Sequence, residues 1–148
     1  MIATNSSKHD ERGATLLEFA IGATIFLSVL FAVLEFGRAL WVHNALTDAA
    51  RRGARYAVLH AQSDSDSVKN MVVYGDPAGG TKSVVDNLTT GNVNVTYSNF
   101  GLEGGTVSVS ITNYQFQFVA PLISTAIQMP SYTTTLTGES VGLIPADL

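Results

Sequence analysis

The chain has 148 residues, a formal net charge of -4 and no cysteine. This length allows one small domain, and the dispersed acidic and basic residues lack the basic bias of a nucleic-acid-binding protein. We therefore expect no nucleic-acid partner. Structural disulfides and thiolate metal sites are excluded because there is no thiol to form them.

The first predicted element is an apolar helix. Residues 19–34 carry no charge, and between Ala14 and Leu34 the only charged residue is Glu18. At about 1.5 Å per residue this stretch is roughly 31 Å long as a helix, the thickness of a bilayer's hydrocarbon core. It is longer than a typical cleaved secretory signal, and no A-x-A pattern closes it. We predict a membrane span over residues 14–34.

The same helix is predicted to continue beyond the span, because no proline occurs between Ala14 and His60. Apolar and small residues recur at steps of three and four, which indicates an amphipathic second half. They are Val42, Ala45, Leu46, Ala49, Gly53, Tyr56 and Ala57. The long helix should span residues 14–62, with its second half packed on another apolar surface.

The remaining residues, 63–148, are predicted to form a small α+β domain. Val68, Met71 and Val72 favour a short helix that ends at Gly75, whereas the pattern around residues 77–92 leaves a further helix or an irregular connection open. Alternating β-branched and aromatic residues then indicate half-buried strands at 93–97, at 107–111 continuing towards Phe118, and at 132–139.

Glycines and prolines separate these predicted strands. Gly101, Gly104 and Gly105 suit a hairpin connection, and residues 122–127, between Pro121 and Pro130, favour a helical turn or a loop packed on the sheet. The predicted fold class is therefore α+β, with a long N-terminal helix packed against a small antiparallel sheet.

The start of the apolar run reads RGATLLEFAI, from Arg12 to Ile21. It resembles a type IV prepilin processing site, in which a membrane-embedded prepilin peptidase cuts after the glycine. The resemblance implies a leader of residues 1–13, cleavage between Gly13 and Ala14, and Glu18 as the fifth residue of the mature chain. It further implies that Glu18 neutralises the new amino terminus of a neighbouring pilin or pseudopilin subunit.

Physical chemistry gives an independent reason for this arrangement. A carboxylate at the centre of a bilayer costs roughly 2.5–3.5 kcal/mol on insertion scales. An ammonium about 4 Å away attracts it by on the order of 4 kcal/mol at an effective dielectric constant of 20. Without cleavage, Glu18 is explained by a position one turn from the head groups, where its cost is small.

Two further motifs follow, EFGR at Glu35–Arg38 and AARRGARYA at Ala49–Ala57. In this order after the apolar helix they resemble TadE-like proteins, over residues 13–60. The resemblance implies a pilin-like subunit of a Tad pilus system in the bacterial inner membrane. Its leader would face the cytoplasm and its C-terminal domain the outside, although counting Lys8 and Arg12 against the four arginines after the span favours the opposite orientation.

Several residues at the end of the span have simpler interpretations. Glu35 and Arg38 are spaced to form a solvated ion pair at the membrane boundary, Trp41 suits the interface, and Ala20, Gly22 and Ala23 permit close helix contact. The arginines at positions 51, 52 and 55 form a basic face that suits anionic lipid or a partner, and we interpret it as a solvated face.

No catalytic motif is found in the sequence. The histidines at positions 9, 43 and 60 lack metal-ligand spacing, and Asp64 and Asp66 lack the glycine and glutamate of a calcium loop. We expect no enzyme activity, cofactor or metal. Three roles remain open: a pseudopilin or minor pilin, a self-polymerising major subunit, and an anchored accessory protein that does not polymerise.

Overall fold

The computed structural model describes residues 7–99, 105–119 and 125–138, with side chains from Gly13 onward. Three predicted features therefore lie outside the described residues: the first part of the leader, the hairpin connection at Gly101 and Gly104, and the first half of the segment 122–127. The last predicted strand is described as far as Gly138.

One helix, α1, runs from Ser7 to Leu59 over 53 residues. Its length is about 80 Å at the usual rise per residue. It ends within three residues of the predicted end, and it passes through the boundary between the predicted leader and span without interruption. Its two halves differ in environment, since residues 13–34 are almost all exposed whereas burial begins at Val42.

The second half of α1 is amphipathic, as predicted. Of the predicted face, Val42, Leu46, Ala49, Gly53 and Ala57 are buried, and Ala45 and Tyr56 are half-buried. The pattern underestimated the width of this face, because Ala50, Ala54 and Val58 are buried as well. The reason is that two elements, a second helix and the sheet, pack against this part of α1.

The second helix, α2, spans Ser65–Tyr74 and follows a single 3-10 turn at Gln62–Asp64. Val68, Val72 and Val73 are its buried residues. Gly75 ends the helix with φ of 75°, a left-handed conformation that favours glycine, and its N–H donates to the carbonyl of Met71. The predicted helix and its terminating glycine are thus confirmed, with Val73 rather than Met71 completing the buried face.

The connection from α2 to the sheet is irregular up to Thr89, so the alternative of another helix there is excluded. It is nevertheless tied to the core, because Val85 and Leu88 are buried and the Val84 N–H donates to the carbonyl of Val73 at 2.8 Å. A 3-10 turn at Thr90–Asn92 then leads into the first strand.

In the part of the chain that the structure describes, five strands follow in two sheets: β1 (Val93–Ser98), β2 (Thr106–Ile111), β3 (Gln115–Gln117), β4 (Ala126–Gln128) and β5 (Tyr132–Thr137). The larger sheet has the order β1-β2-β5 and is antiparallel throughout. Every second residue of β2, namely Val107, Val109 and Ile111, is fully buried. The predicted period of two, and the strands at 93–97, 107–111 and 132–137, are confirmed.

The smaller sheet, the β3–β4 hairpin, corrects two expectations. The strand predicted to continue from Ile111 towards Phe118 is broken, because Asn113 adopts a φ of 57° and redirects the chain. Ala126 and Ile127, expected in a helical turn or packed loop, pair with Gln117 and Phe116 in a strand. Exposed and buried side chains do alternate in β3, as predicted, but β3 belongs to a second sheet.

The core lies between the second half of α1, α2 and the inner face of the larger sheet. The structure is thus α+β, with a long apolar N-terminal helix packed against small antiparallel sheets, which confirms the predicted fold class. Among the described residues, this packing leaves the apolar first half of α1 exposed.

Candidate membrane anchor and assembly site

The exposed first half of α1 is the most unusual surface of the chain. None of its most apolar stretch is buried, and large side chains project in every direction; Phe19, for example, is 74% exposed. A soluble core helix would have this surface covered by protein, so that interpretation is excluded. By length and composition the helix fits a membrane anchor.

The hydroxyl groups within this segment are satisfied by the helix itself. The hydroxyl of Thr24 donates to the carbonyl of Ala20, and that of Ser28 donates to the carbonyl of Thr24, both at 2.8 Å. A lipid-facing helix needs this arrangement, because hydrocarbon offers no other partner for a polar group. The segment therefore exposes little unsatisfied polarity to a bilayer.

The residues of the predicted processing site lie on the exposed surface near the start of this segment. Gly13, Ala14 and Glu18 are all exposed, and a Cβ added at Gly13 would meet nothing within 4 Å. Ala14 and Glu18 are four residues apart and so lie on one face of the helix. No ion pair joins Glu18 to another side chain in the described part of the chain. Cleavage and neutralisation both stay predictions.

The small residues of the span leave space for a neighbour. Ala20 and Gly22 are exposed, Ala23 is half-buried, and a Cβ added at Gly22 would meet nothing within 4 Å. This open surface is what close helix packing requires. The use of that surface for packing remains a prediction.

Glu35 and Arg38 form a junction between α1 and the β3–β4 hairpin. Their side chains pair at 2.9 Å, as the spacing predicted. In addition, the Val119 N–H donates to Glu35 Oε1 at 2.9 Å, and Arg38 donates to the carbonyl of Gln117. The Arg38 guanidinium also lies 4.3 Å from the centre of the Phe116 ring. The pair is thus a structural link.

The sequence alone did not indicate this link. Glu35 is only 11% exposed and Arg38 36% exposed, whereas a solvated pair was expected. The partners, Gln117 at the end of β3 and Val119 just after it, are about 80 residues farther along the chain, so no local spacing pointed to them. A clue was available in the position of the pair, because it follows directly after the apolar segment, where the almost entirely exposed part of α1 ends.

We expect Arg38→Ala to loosen the β3–β4 hairpin from α1. The substitution removes the bonds to Gln117 and leaves the mostly buried Glu35 without its cation, at a cost of about 1–2 kcal/mol after allowing for the partial exposure of Arg38. Hydrogen exchange in the full chain should show faster exchange of the Val119 amide.

Arg51→Ala is the matched control for this prediction. Arg51 also pairs with an acid three residues away, Asp48, but at 3.7 Å and with both side chains well exposed. Its removal should leave exchange in the hairpin unchanged. Equal exchange of the Val119 amide in both variants would show that the Glu35–Arg38 pair does not hold the hairpin.

The two described histidine side chains take part in packing contacts. His43 Nδ1 lies 2.9 Å from the Tyr132 hydroxyl and links α1 to β5. His60 stacks on Tyr56, with ring centres 3.7 Å apart, near the end of α1. Among the described residues no group of three or more His, Cys, Asp or Glu side chains is placed to hold a metal ion.

Tyr114 makes the domain sensitive to high pH. Its hydroxyl donates to the carbonyl of Asp86 at 2.9 Å. Burial raises its pKa above the ordinary value, the charge of Asp86 raises it further, and Arg38 opposes the shift. Because the folded state holds the phenol proton more tightly, this contribution to stability is complete below about pH 10 and is lost as pH rises through the folded-state pKa.

We therefore expect the urea midpoint of unfolding to fall as the pH rises above about 10, the ordinary pKa of tyrosine. Tyr132, whose pKa is also raised by burial, should contribute to the same loss. Tyr114→Phe should lower stability by about 1 kcal/mol near neutral pH, where its hydrogen bond is lost, and should flatten the alkaline decline. An alkaline slope identical to that of the unmodified chain would contradict this assignment to Tyr114.

Comparison with known proteins places the helical segment in a family. Residues 13–55 match the family model described as TadE-like protein. This segment is TadE-like. The TadE match begins at Gly13, covers the exposed apolar helix and the Glu35–Arg38 junction, and ends within the AARRGARYA motif. It covers 43 of the 148 residues and confirms, for these residues, the resemblance seen in the sequence.

The family match is limited to residues 13–55. No curated protein and no solved structure matches the chain. The TadE match covers the anchor and the part of α1 on which the C-terminal domain packs. It does not extend to the residues after 55.

Proposed function

We propose that the chain is a pseudopilin or minor pilin of a Tad-type pilus. The observation that carries this proposal is the wholly exposed apolar half of α1, joined without a break to a helix half that forms the core of a folded domain. Such a helix anchors the subunit in the bacterial inner membrane before assembly and packs against other subunits afterwards. The TadE-like match over the same residues supports the pilus system in particular.

In this proposal a prepilin peptidase removes residues 1–13, and Ala14 becomes the amino terminus. The new ammonium of one subunit attracts Glu18 of another inside the apolar layer. The exposure of both residues supports this step, because either one is accessible to a neighbouring helix. The C-terminal domain lies on the outer side of the membrane, and the protein has no catalytic role of its own.

Two other functions use the same anchor. A self-polymerising major subunit would require the same cleavage and would be present along whole fibres. A permanently anchored accessory protein would keep its leader, and the continuity of α1 through Gly13 is compatible with that role. These functions differ in the mass of the mature chain and in its abundance in fibres.

The test is coexpression of the full chain with a prepilin peptidase, followed by intact mass measurement of the membrane fraction. We expect loss of residues 1–13, and Gly13→Leu should prevent it because the peptidase cuts after glycine. Gly22→Leu is the matched control, since it places the same side chain at another open position of the same helix. An intact leader with active peptidase would refute the pilin proposal, and electron microscopy of sheared fibres would separate major from minor subunits.

A further inference from the structure

The β3–β4 hairpin lies beside the membrane end of the domain. Glu35 follows directly after Leu34, the last residue of the apolar segment, and its carboxylate accepts a hydrogen bond from the Val119 N–H. Arg38, nearly one turn farther along α1, donates a hydrogen bond to the carbonyl of Gln117. As the chain leaves β3 from Gln117 to Val119, it therefore runs along α1 towards the span.

The described hairpin residues, 115–119 and 125–129, are uncharged, and their exposed side chains are uncharged polar or apolar. The large apolar side chains among them are Val119, which is 74% exposed, and Ile127, which is 50% exposed. The two charged side chains that bind the described hairpin backbone, Glu35 and Arg38, pair with each other. Moving this surface into a less polar layer thus requires no unpaired charge to lose its water.

Aromatic residues of α1 border the same region. Phe36 and Trp41 are both more than half exposed, and Leu40 is exposed between them. Aromatic rings favour the interface between hydrocarbon and head groups, where an apolar body and a polar edge are both accommodated. Exposed apolar side chains are therefore present both on α1 just beyond Leu34 and at Val119 and Ile127 of the hairpin.

From these positions we infer that the β3–β4 hairpin is a second membrane contact, which inserts Val119 and Ile127 into the interfacial layer of the lipid bilayer. The inference rests on the proposed membrane anchor. By rise along α1, Glu35, which binds Val119, lies about 2 Å beyond the apolar segment, and Arg38, which contacts the Phe116 that pairs with Ile127, lies about 6 Å beyond it. Both levels fall in the head-group layer, which is roughly 5–8 Å thick on each side of the hydrocarbon core. Together, span and hairpin fix the domain's tilt on the membrane.

The absence of cysteine allows this inference to be tested with single environment-sensitive probes in the full chain. Val119→Cys and Ile127→Cys are labelled with a nitrobenzoxadiazole dye and reconstituted in phosphatidylcholine–phosphatidylglycerol vesicles. Ser98→Cys is the aqueous control, because it is exposed at the opposite end of the larger sheet. Val29→Cys, in the exposed apolar half of α1, reports on the anchor itself.

We expect blue-shifted emission and several-fold stronger quenching by shallow nitroxide lipids at Val119 and Ile127 than at Ser98, with Val119 the deeper of the two. If the Val29 probe is in lipid and both hairpin probes behave like the Ser98 probe, the hairpin inference is wrong while the anchor stands. If the Val29 probe is also in water, both fail. Hairpin probes that leave water only when other pilus subunits are present would assign this surface to a protein neighbour and overturn the lipid contact.

Discussion

Replacing Glu18 by glutamine is expected to remove the chain from assembled filaments while leaving it inserted in the membrane. In the proposed mechanism the lost attraction between the carboxylate and an ammonium is on the order of 4 kcal/mol, or about a thousand-fold in the association of a subunit. The glutamine side chain is similar in size, so packing of the exposed helix should change little. The measurement is the amount of chain in sheared filaments relative to the membrane fraction.

Glu18→Asp is the matched control, because it keeps the charge with a side chain one methylene shorter. It should retain a measurable part of the assembly that Glu18→Gln loses. Intact mass measurement on the same samples separates a failure of cleavage at Gly13 from a failure of assembly. Normal maturation together with normal filament incorporation of Glu18→Gln would refute the proposed pairing of charges.

Gly53→Ala is expected to destabilise the folded domain by about 1–3 kcal/mol. A Cβ at this position would lie 2.3 Å from Val72 Cγ2 and 3.3 Å from Val109 Cγ1. Both valines are fully buried, and a β-branched side chain has few alternative rotamers, so neither methyl group has space to move away. The measurement is the urea midpoint for proteolysis of the full chain in detergent.

Gly37→Ala is the control for this second prediction. It makes the same substitution in the same helix at a position where an added Cβ would meet nothing within 4 Å. It should stabilise the helix by up to about 1 kcal/mol, as alanine does when space allows. Adding Val72→Ala to Gly53→Ala should cost less than Val72→Ala alone, and strictly additive losses would show that contact with Val72 is not the cause.

The contrast between these two glycines shows that local sequence patterns do not predict which glycine in a helix is required by packing. In the sequence, Gly37 and Gly53 are both isolated glycines within a predicted helix, and helix propensity disfavours each of them equally. Only the approach of α2 and β2 to one of them makes glycine necessary there. The amphipathic pattern predicted that Gly53 lies on the packed face, but it did not indicate how closely Val72 and Val109 approach, because those residues are distant in the chain.

For the site residues, too, local sequence indicated some features and tertiary contacts decided others. The positions of Gly13, Ala14 and Glu18 were assigned from a short motif, and the structure adds that they are exposed on one helix. The role of Glu35 and Arg38 was only half predicted. Their pairing follows from a spacing of three residues, whereas their bonds to Gln117 and Val119 depend on the second sheet.

The amino-acid sequence was sufficient for the elements whose signals are local: the apolar span, the amphipathic half of α1, α2 with its terminal glycine, and the alternating strands. These are local because helix and strand periodicities repeat every few residues. Tertiary packing decided three features: the division of the strands into two sheets, the wider buried face of α1, and the position of the β3–β4 hairpin beside Glu35 and Arg38. Each depends on which distant surfaces meet, and burial of apolar area favours one such arrangement without leaving a periodic pattern in the chain.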